Sequence, residues 1–171
     1  MAYNEEASIE RVLRDLCEVL SAAPFDFEIL AIDDGSSDRT GGIIERLAGE
    51  YEGHAKIIPI RFSENRGMGA AIKAGYDRAE GQYLSCLPAD GQIPARSVVE
   101  LAQAVGDVDM ITSVYRNRDD GWHRAFFSTG MRTLLFLLFG PLPRNEGPYL
   151  LRRSLYEKMT LVSRTFVLNF E

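Results

Sequence analysis

Apolar positions recur along this chain with two alternating rhythms. Ile9, Val12, Leu13, Leu16 and Val19 fall at helical spacing behind Asn4, which can cap a helix whose first turn carries Glu5 and Glu6. Residues 27–32 then form a short, nearly unbroken apolar run that ends in Asp33-Asp34-Gly35-Ser36, the form of a buried parallel strand entering a polar loop. A second helical pattern carries Ile43, Ile44, Leu47 and Tyr51 on its inner face. Strand-like runs follow at 56–60, 82–87 and 108–112. Between them lie a helix opened by Gly67 and Gly69 and carrying Ala70, Ala71, Ala74 and Ala79, and a second helix at 96–105.

Alternating strands and helices predict an α/β domain with a mostly parallel sheet flanked by helices. In such sheets ligands gather beyond the carboxyl ends of the strands. Here the polar loop Tyr3-Asn4-Glu5 opens the chain with no strand in front of it, so the sheet lacks its expected first strand. The run 165–171 is strand-like and stops without a turn. Both ends therefore read as trimmed, and residues 1–171 as one domain of a longer polypeptide.

Composition narrows the picture. The chain has 171 residues, 46% hydrophobic and 26% charged, which suits one compact domain. A net charge of -6 argues against a nucleic-acid partner, since such proteins collect Lys and Arg to displace counterions. Cys17 and Cys86 lack the close Cys or His companions of a zinc site and read as buried thiols in a reducing compartment. No apolar run reaches the roughly 18 residues of a membrane span, and the N-terminus has no signal-like pattern.

Three carboxylates, Asp33, Asp34 and Asp90, stand at the ends of predicted parallel strands and so should face one crevice. Like charges held close repel unless a cation or donor groups compensate. A divalent metal or a network of sugar and base hydroxyls would answer that need; equally, Asp33, Asp34 and Ser36 would serve as turn and cap residues.

Ala2-Tyr3-Asn4-Glu5-Glu6, Asp33-Asp34-Gly35-Ser36-Ser37-Asp38, Asn65-Arg66-Gly67-Met68-Gly69-Ala70 and Ala89-Asp90-Gly91-Gln92 occur in that order. In this the chain resembles the family 2 glycosyltransferases of GT-A fold, and among them the branch of dolichol-phosphate mannosyltransferases and polyprenyl-phosphate sugar transferases. The resemblance implies an enzyme that moves a sugar from a GDP- or UDP-linked donor to a polyprenyl or dolichyl phosphate, with inversion. It places Ala2, Tyr3, Glu5, Asp33 and Asp34 around the nucleotide, with Asp34 on base or ribose. Asn65, Gly67 and Gly69 lie where backbone approaches the donor, or else simply make a tight turn.

The family's metal motif usually reads Asp-x-Asp. Pro88 holds its first position here, leaving Asp90 and Gln92 for Mg2+ or Mn2+, an ion that needs only one or two protein oxygens. Arg116, Arg124 and Ser128 are placed by the resemblance beside the acceptor phosphate and donor diphosphate, and Arg118, His123 and Trp122 cluster with them. A lipid phosphate is already anionic, so alignment and electrostatics suffice and no catalytic base is named; Asp90, Arg116 and Arg124 are the candidate catalytic groups.

Large apolar residues from Phe126 to Phe139, with Arg132 among them, need cover, either as a core helix or as one lying on a lipid surface. The second reading places the protein in the cytoplasm, at the inner face of a membrane. Asn145 stands where relatives carry an Asp in an acceptor-side loop. Two other readings remain at this stage: a non-catalytic relative that binds nucleotide or lipid, and a phospho-receiver module suggested by the acidic pair after an apolar strand.

Overall fold

The computed structural model describes residues 1–114 and 147–159. Helix α1 (Ile9–Ser21) turns Ile9, Leu13, Leu16, Cys17 and Leu20 inward, as its apolar spacing demands, and its charged residues outward. Strand β1 (Ile29–Asp33) leads through a polar loop into helix α2 (Thr40–Glu50), which returns to strand β2 (Ile57–Arg61). β1 and β2 pair in parallel, Ile29 opposite Ile57 and Asp33 opposite Arg61. Pro59 lies mid-strand, where a missing N–H is tolerated only if it faces away from the ladder.

Successive β1 side chains serve opposite layers. Ile29 and Ala31 join the core formed with α1 and α2. On the other face Ile32 meets helix α3 (Met68–Arg78), whose Gly75 is so close that an added Cβ would lie 2.8 Å from the Ile32 Cδ1. Outside, Arg14 and Arg46 each reach both Glu10 and Glu50, tying α1 to α2 through exposed ion pairs.

A second sheet holds β3 (Tyr83–Leu84), β4 (Met110–Thr112) and β5 (Tyr149–Arg152) in the order β3-β5-β4, with helix α4 (Arg96–Ala104) between β3 and β4 and one helical turn, α5 (Arg153–Tyr156), after β5. Both pairings to β5 are antiparallel. The α/β layering matches expectation, and β5 adds an antiparallel element where the sequence suggested an acceptor-side loop.

Two local expectations change. α1 begins at Ile9 rather than next to Asn4, because Asn4 takes a left-handed backbone (φ 54°). Its side-chain oxygen instead accepts the Ser37 N–H at 2.9 Å. The strand expected at 82–87 pairs only over Tyr83–Leu84. Residues 1–2 nevertheless lie in a strand-like position: Ala2 bridges Asp33 in parallel, and the Ala89 N–H donates to the Met1 carbonyl at 3.0 Å. Arg116, Arg118, Trp122, His123, Arg124, Ser128, Asn145, the apolar stretch 126–139 and the run 165–171 lie outside the described residues.

Candidate active site

Three chain turns meet at the carboxyl end of β1. The Ala2 N–H donates to the Ile32 carbonyl at 2.8 Å and the Asp34 N–H to the Ala2 carbonyl at 2.9 Å, while Met1 touches Ala89 on the other side. Tyr3, Asp34 and Asp90 thus follow three adjacent segments, as the strand ends of a layered α/β sheet require.

Adjacent acids do different work. Asp33, 1% exposed, points toward α2 like Ala31 two positions before it. Its Oδ1 accepts the Ser36 N–H at 2.9 Å, and its Oδ2 lies 3.3 Å from Arg61 Nε. A Cβ on Gly41 would lie 2.5 Å from that Oδ2, so only glycine lets α2 start here. Asp34 points to the other side. Its two oxygens accept the Arg66 N–H at 2.8 Å and the Gly67 N–H at 3.0 Å, which fixes the loop ahead of α3.

Gly67 has φ 88° and also donates to Asn65 Oδ1 at 3.1 Å, a conformation that favours glycine. Gly35, at φ 72°, packs against the Glu64 backbone, where any Cβ would collide. Gly69 is buried in the first turn of α3, and Asn65 is exposed at the loop tip.

The loop at 3–6 is laced to the loop at 36–40 by reciprocal bonds. Ser36 Oγ accepts the Asn4 N–H at 2.9 Å, Thr40 Oγ1 accepts the Glu5 N–H at 2.8 Å, and Asp38 Oδ2 accepts the Glu6 N–H at 3.1 Å. In return Arg39 donates its N–H to Glu6 Oε2 at 3.1 Å. Thr40 is fully buried and gives its own hydroxyl to Asp38 Oδ1. Burial pushes the Asp38 carboxyl up, but the hydrogen bonds from Thr40 and from the Glu6 amide outweigh it and hold the carboxyl below its ordinary value. The Glu6 carboxyl is lowered as well, first by the Arg39 backbone N–H. Glu5 accepts the Ser8 hydroxyl at 2.6 Å. Tyr3 is left 48% exposed, while its neighbour Ala2 is buried.

Asp90 is half-buried. Its Oδ1 accepts the Gln92 N–H at 2.9 Å in a turn made by Gly91 at φ 71°. Gln92 is exposed next to it, and no cluster of three acidic, Cys or His ligands forms among the described residues. The donor set that remains is one carboxylate with one neighbouring amide oxygen. Such hard oxygens suit Mg2+ or Mn2+ held mainly by diphosphate and water.

Three residues have roles that the sequence does not assign. Thr40 and Asp38 organise the loops, and the signal for them was the run of short hydroxyl and acidic side chains from 36 to 40. Arg11 crowds Gly91, close enough that a Cβ there would strike its guanidinium. Nothing in the helical pattern marks Arg11, which looks like any outward-facing charge.

Comparison with known proteins places this geometry. The sequence profile described as Glycosyl transferase family 2 matches residues 1–167. An undecaprenyl-phosphate 4-deoxy-4-formamido-L-arabinose transferase of Proteus mirabilis is 31% identical over 86% of this chain and 44% of its own length. A protein of the same description from Aeromonas hydrophila is 35% identical over 71% of this chain and 37% of its own. The chain therefore spans less than half the length of these relatives. Among solved structures, the mannosyltransferase PcManGT from Pyrobaculum calidifontis, in complex with GDP-Man and Mn2+, superposes with a TM-score of 0.67 at 22% identity, covering 92% of this chain and 44% of that one. Mannosyl-3-phosphoglycerate synthase from Rubrobacter xylanophilus gives 0.64 at 19% identity, covering 91% and 52%. These structures share the GT-A fold.

Proposed function

The chain belongs to glycosyl transferase family 2, and on that premise we propose that it is the donor-binding part of an enzyme transferring a sugar from a nucleotide-sugar to a polyprenyl phosphate. The observation that carries the reading is the meeting of Tyr3, Asp34 and Asp90 on three adjacent chain turns, joined through the Ala2 and Met1 backbone. Tyr3 offers an exposed ring on which a base can stack. Ala2 and Glu5 flank Tyr3 in the same loop, whose backbone is held by Ile32 and Thr40. Asp33 and Asp34 act by fixing α2 and the 65–67 loop, and Asn65, Gly67 and Gly69 belong to the loop and first turn that the donor diphosphate would approach.

A divalent cation bound by Asp90 and Gln92 would neutralise charge on the departing nucleoside diphosphate. Asp90 has one carboxylate oxygen committed to the Gln92 amide, and Arg11 lies beside the same turn. The acceptor side of the reading assigns Arg116, Arg124 and Ser128 to the lipid phosphate and the donor diphosphate, where guanidinium forks match phosphate oxygens. An anionic phosphate oxygen attacking the anomeric carbon directly would invert it without a general base.

The relatives whose printed names include undecaprenyl-phosphate support that choice of acceptor class. An acceptor of this kind suits an enzyme working at the cytoplasmic face of a membrane, with residues 1–171 as a portion of its catalytic domain. No described helix is long and apolar enough to cross a bilayer. The family match leaves the phospho-receiver reading without support.

A thermal-shift panel of GDP, UDP and their sugars, with and without Mg2+ or Mn2+, tests the donor site. One nucleotide should raise Tm by several degrees, more so with metal. Indifference to every nucleotide would remove the proposal.

A further inference from the structure

Pro88 leaves the proposed cation to two side chains, Asp90 and Gln92, and both belong to one tight turn. Whatever holds that turn therefore sets how well they serve. Upstream it is anchored where the Ala89 N–H donates to the Met1 carbonyl. Within it, Asp90 Oδ1 accepts the Gln92 N–H at 2.9 Å. Among the described residues, no backbone hydrogen bond ties residues 90–93 to another segment. The remaining support comes from α1. A Cβ on Gly91 would collide with Arg11 Nη2 and lie 3.2 Å from its Cζ and 3.3 Å from Val12 Cγ2, so both side chains press on the bare Cα of the turn. Glycine at φ 71° supplies the bend and the open face together. Val12 packs against the core that contains Ala89. Arg11 is exposed, and among the described residues its carboxylate neighbour is Asp15 at 3.9 Å, an exposed pair too weak to draw the guanidinium off the turn.

We infer that Arg11 is a positioning residue of the donor site: its guanidinium, laid against Gly91, braces the turn so that Asp90 and Gln92 are presented to the divalent cation together. A site with only one or two protein oxygens tolerates little displacement of either, above all for an ion that demands near-ideal octahedral geometry. Groups that orient metal ligands from outside are typically worth about tenfold to a hundredfold in metal affinity. The flat guanidinium can lie along a peptide plane, whereas an ammonium of the same charge is a point. Arg11 thus acts through Gly91 and contacts neither cation nor nucleotide. The inference rests on the donor-site reading and adds to it a residue of α1.

The test follows nucleotide binding by calorimetry for the natural chain, Arg11→Ala and Arg11→Lys, with whichever of GDP and UDP binds more tightly, once in Mn2+ and once in EDTA. Mn2+ should strengthen binding to the natural chain. Arg11→Ala should lose about tenfold or more of its affinity in Mn2+ and change by less than about twofold in EDTA. Its Tm without nucleotide should stay within about 2 °C, as for an exposed side chain. Arg11→Lys should behave as Arg11→Ala does. Gly91→Ala puts a methyl group in the guanidinium's place and should bring the same loss in Mn2+, and the double variant Arg11→Ala with Gly91→Ala should lose no more than either alone. Full affinity of Arg11→Ala in Mn2+, an equal loss with and without the metal, or rescue by lysine would overturn the assignment and leave the donor site standing. A natural chain that binds nucleotide but gains nothing from Mn2+ would overturn it together with the metal role of Asp90.

Discussion

The end of the parallel β1/β2 pair and the antiparallel β3-β5-β4 sheet are held together by contrasting means. At the first, side-chain oxygens of Asp33, Asp34, Ser36, Asp38 and Thr40 carry backbone N–H groups of neighbouring loops, and few apolar contacts are involved. At the second, Ile72, Leu84, Leu151, Tyr76 and Tyr156 form a small apolar cluster in which the Tyr76 and Tyr156 rings meet edge to face at 5.3 Å. Polar lacing positions loops to within a hydrogen-bond length, which a binding site needs. Apolar packing fills volume and tolerates exchange of similar side chains. Substitutions should therefore separate the two regions: binding and stability fall together at the first, and stability alone falls at the second.

The largest effect is expected at Asp34. Replacing it with Ala strands the Arg66 and Gly67 N–H groups, which now donate to a carboxylate. A loss of about 3 kcal/mol follows from hydrogen bonds to a charged acceptor, or a Tm lower by about 10 °C. Nucleotide affinity measured by calorimetry should fall at least about a hundredfold, because the loop ahead of α3 loses its anchor. An Asp34→Ala chain that binds nucleotide normally would show that the loop is held by other means.

Thr40→Val is the next test. It keeps shape but removes a buried hydroxyl that accepts from Glu5 and donates to Asp38. We expect about 2 kcal/mol of lost stability and a weaker donor complex, since Tyr3 is set by the same loop. Retained affinity at reduced Tm would mean that the lacing supports the fold only.

How much of this contrast was legible beforehand follows from the range of the forces involved. α1, β1, α2 and β2 are marked by local periodicity, and the loops that join them carry their motifs at the strand ends, so both the layers and the meeting of these loops could be read. Asp33 and Asp34 could not be told apart as neighbours in a string. Only the strand's alternation sends one toward Gly41 and α2 and the other toward Gly67. β5 was missed for a different reason. Tyr149-Leu150-Leu151-Arg152 follows Gly147-Pro148, does not alternate, and owes its strand state to Tyr83 and Met110, which lie far away along the chain. Arg11 illustrates a third limit, since its closeness to Gly91 arises from packing of α1 against a loop eighty residues on.

On the antiparallel side, Tyr149→Phe sharpens the comparison. The Tyr76 and Tyr149 hydroxyls share one hydrogen bond at 2.8 Å in a buried setting, and burial pushes both phenols above their ordinary values. Removing one partner should cost about 1 kcal/mol, a Tm shift of about 3 °C. Nucleotide affinity should not change. A drop in affinity would show that the two regions are coupled.

The smallest effect is a pH dependence confined to the laced loops. Asp38 and Glu6 both sit below their ordinary values of 3.8 and 4.5 in the folded chain. A carboxyl whose folded value is depressed adds stability above its unfolded value, and that contribution is lost as pH falls through the folded one. Stability from this source is thus constant near neutrality and declines below about pH 4. Other carboxylates titrate in the same range, so the informative quantity is the difference in Tm between the natural chain and Asp38→Asn, followed from pH 7 to pH 3. Asparagine keeps one acceptor oxygen but no titrating group. The natural chain should be the more stable at pH 7, and the gap should close as the medium is acidified. A gap that stayed constant down to pH 3 would mean that shape rather than charge at Asp38 holds the two loops together.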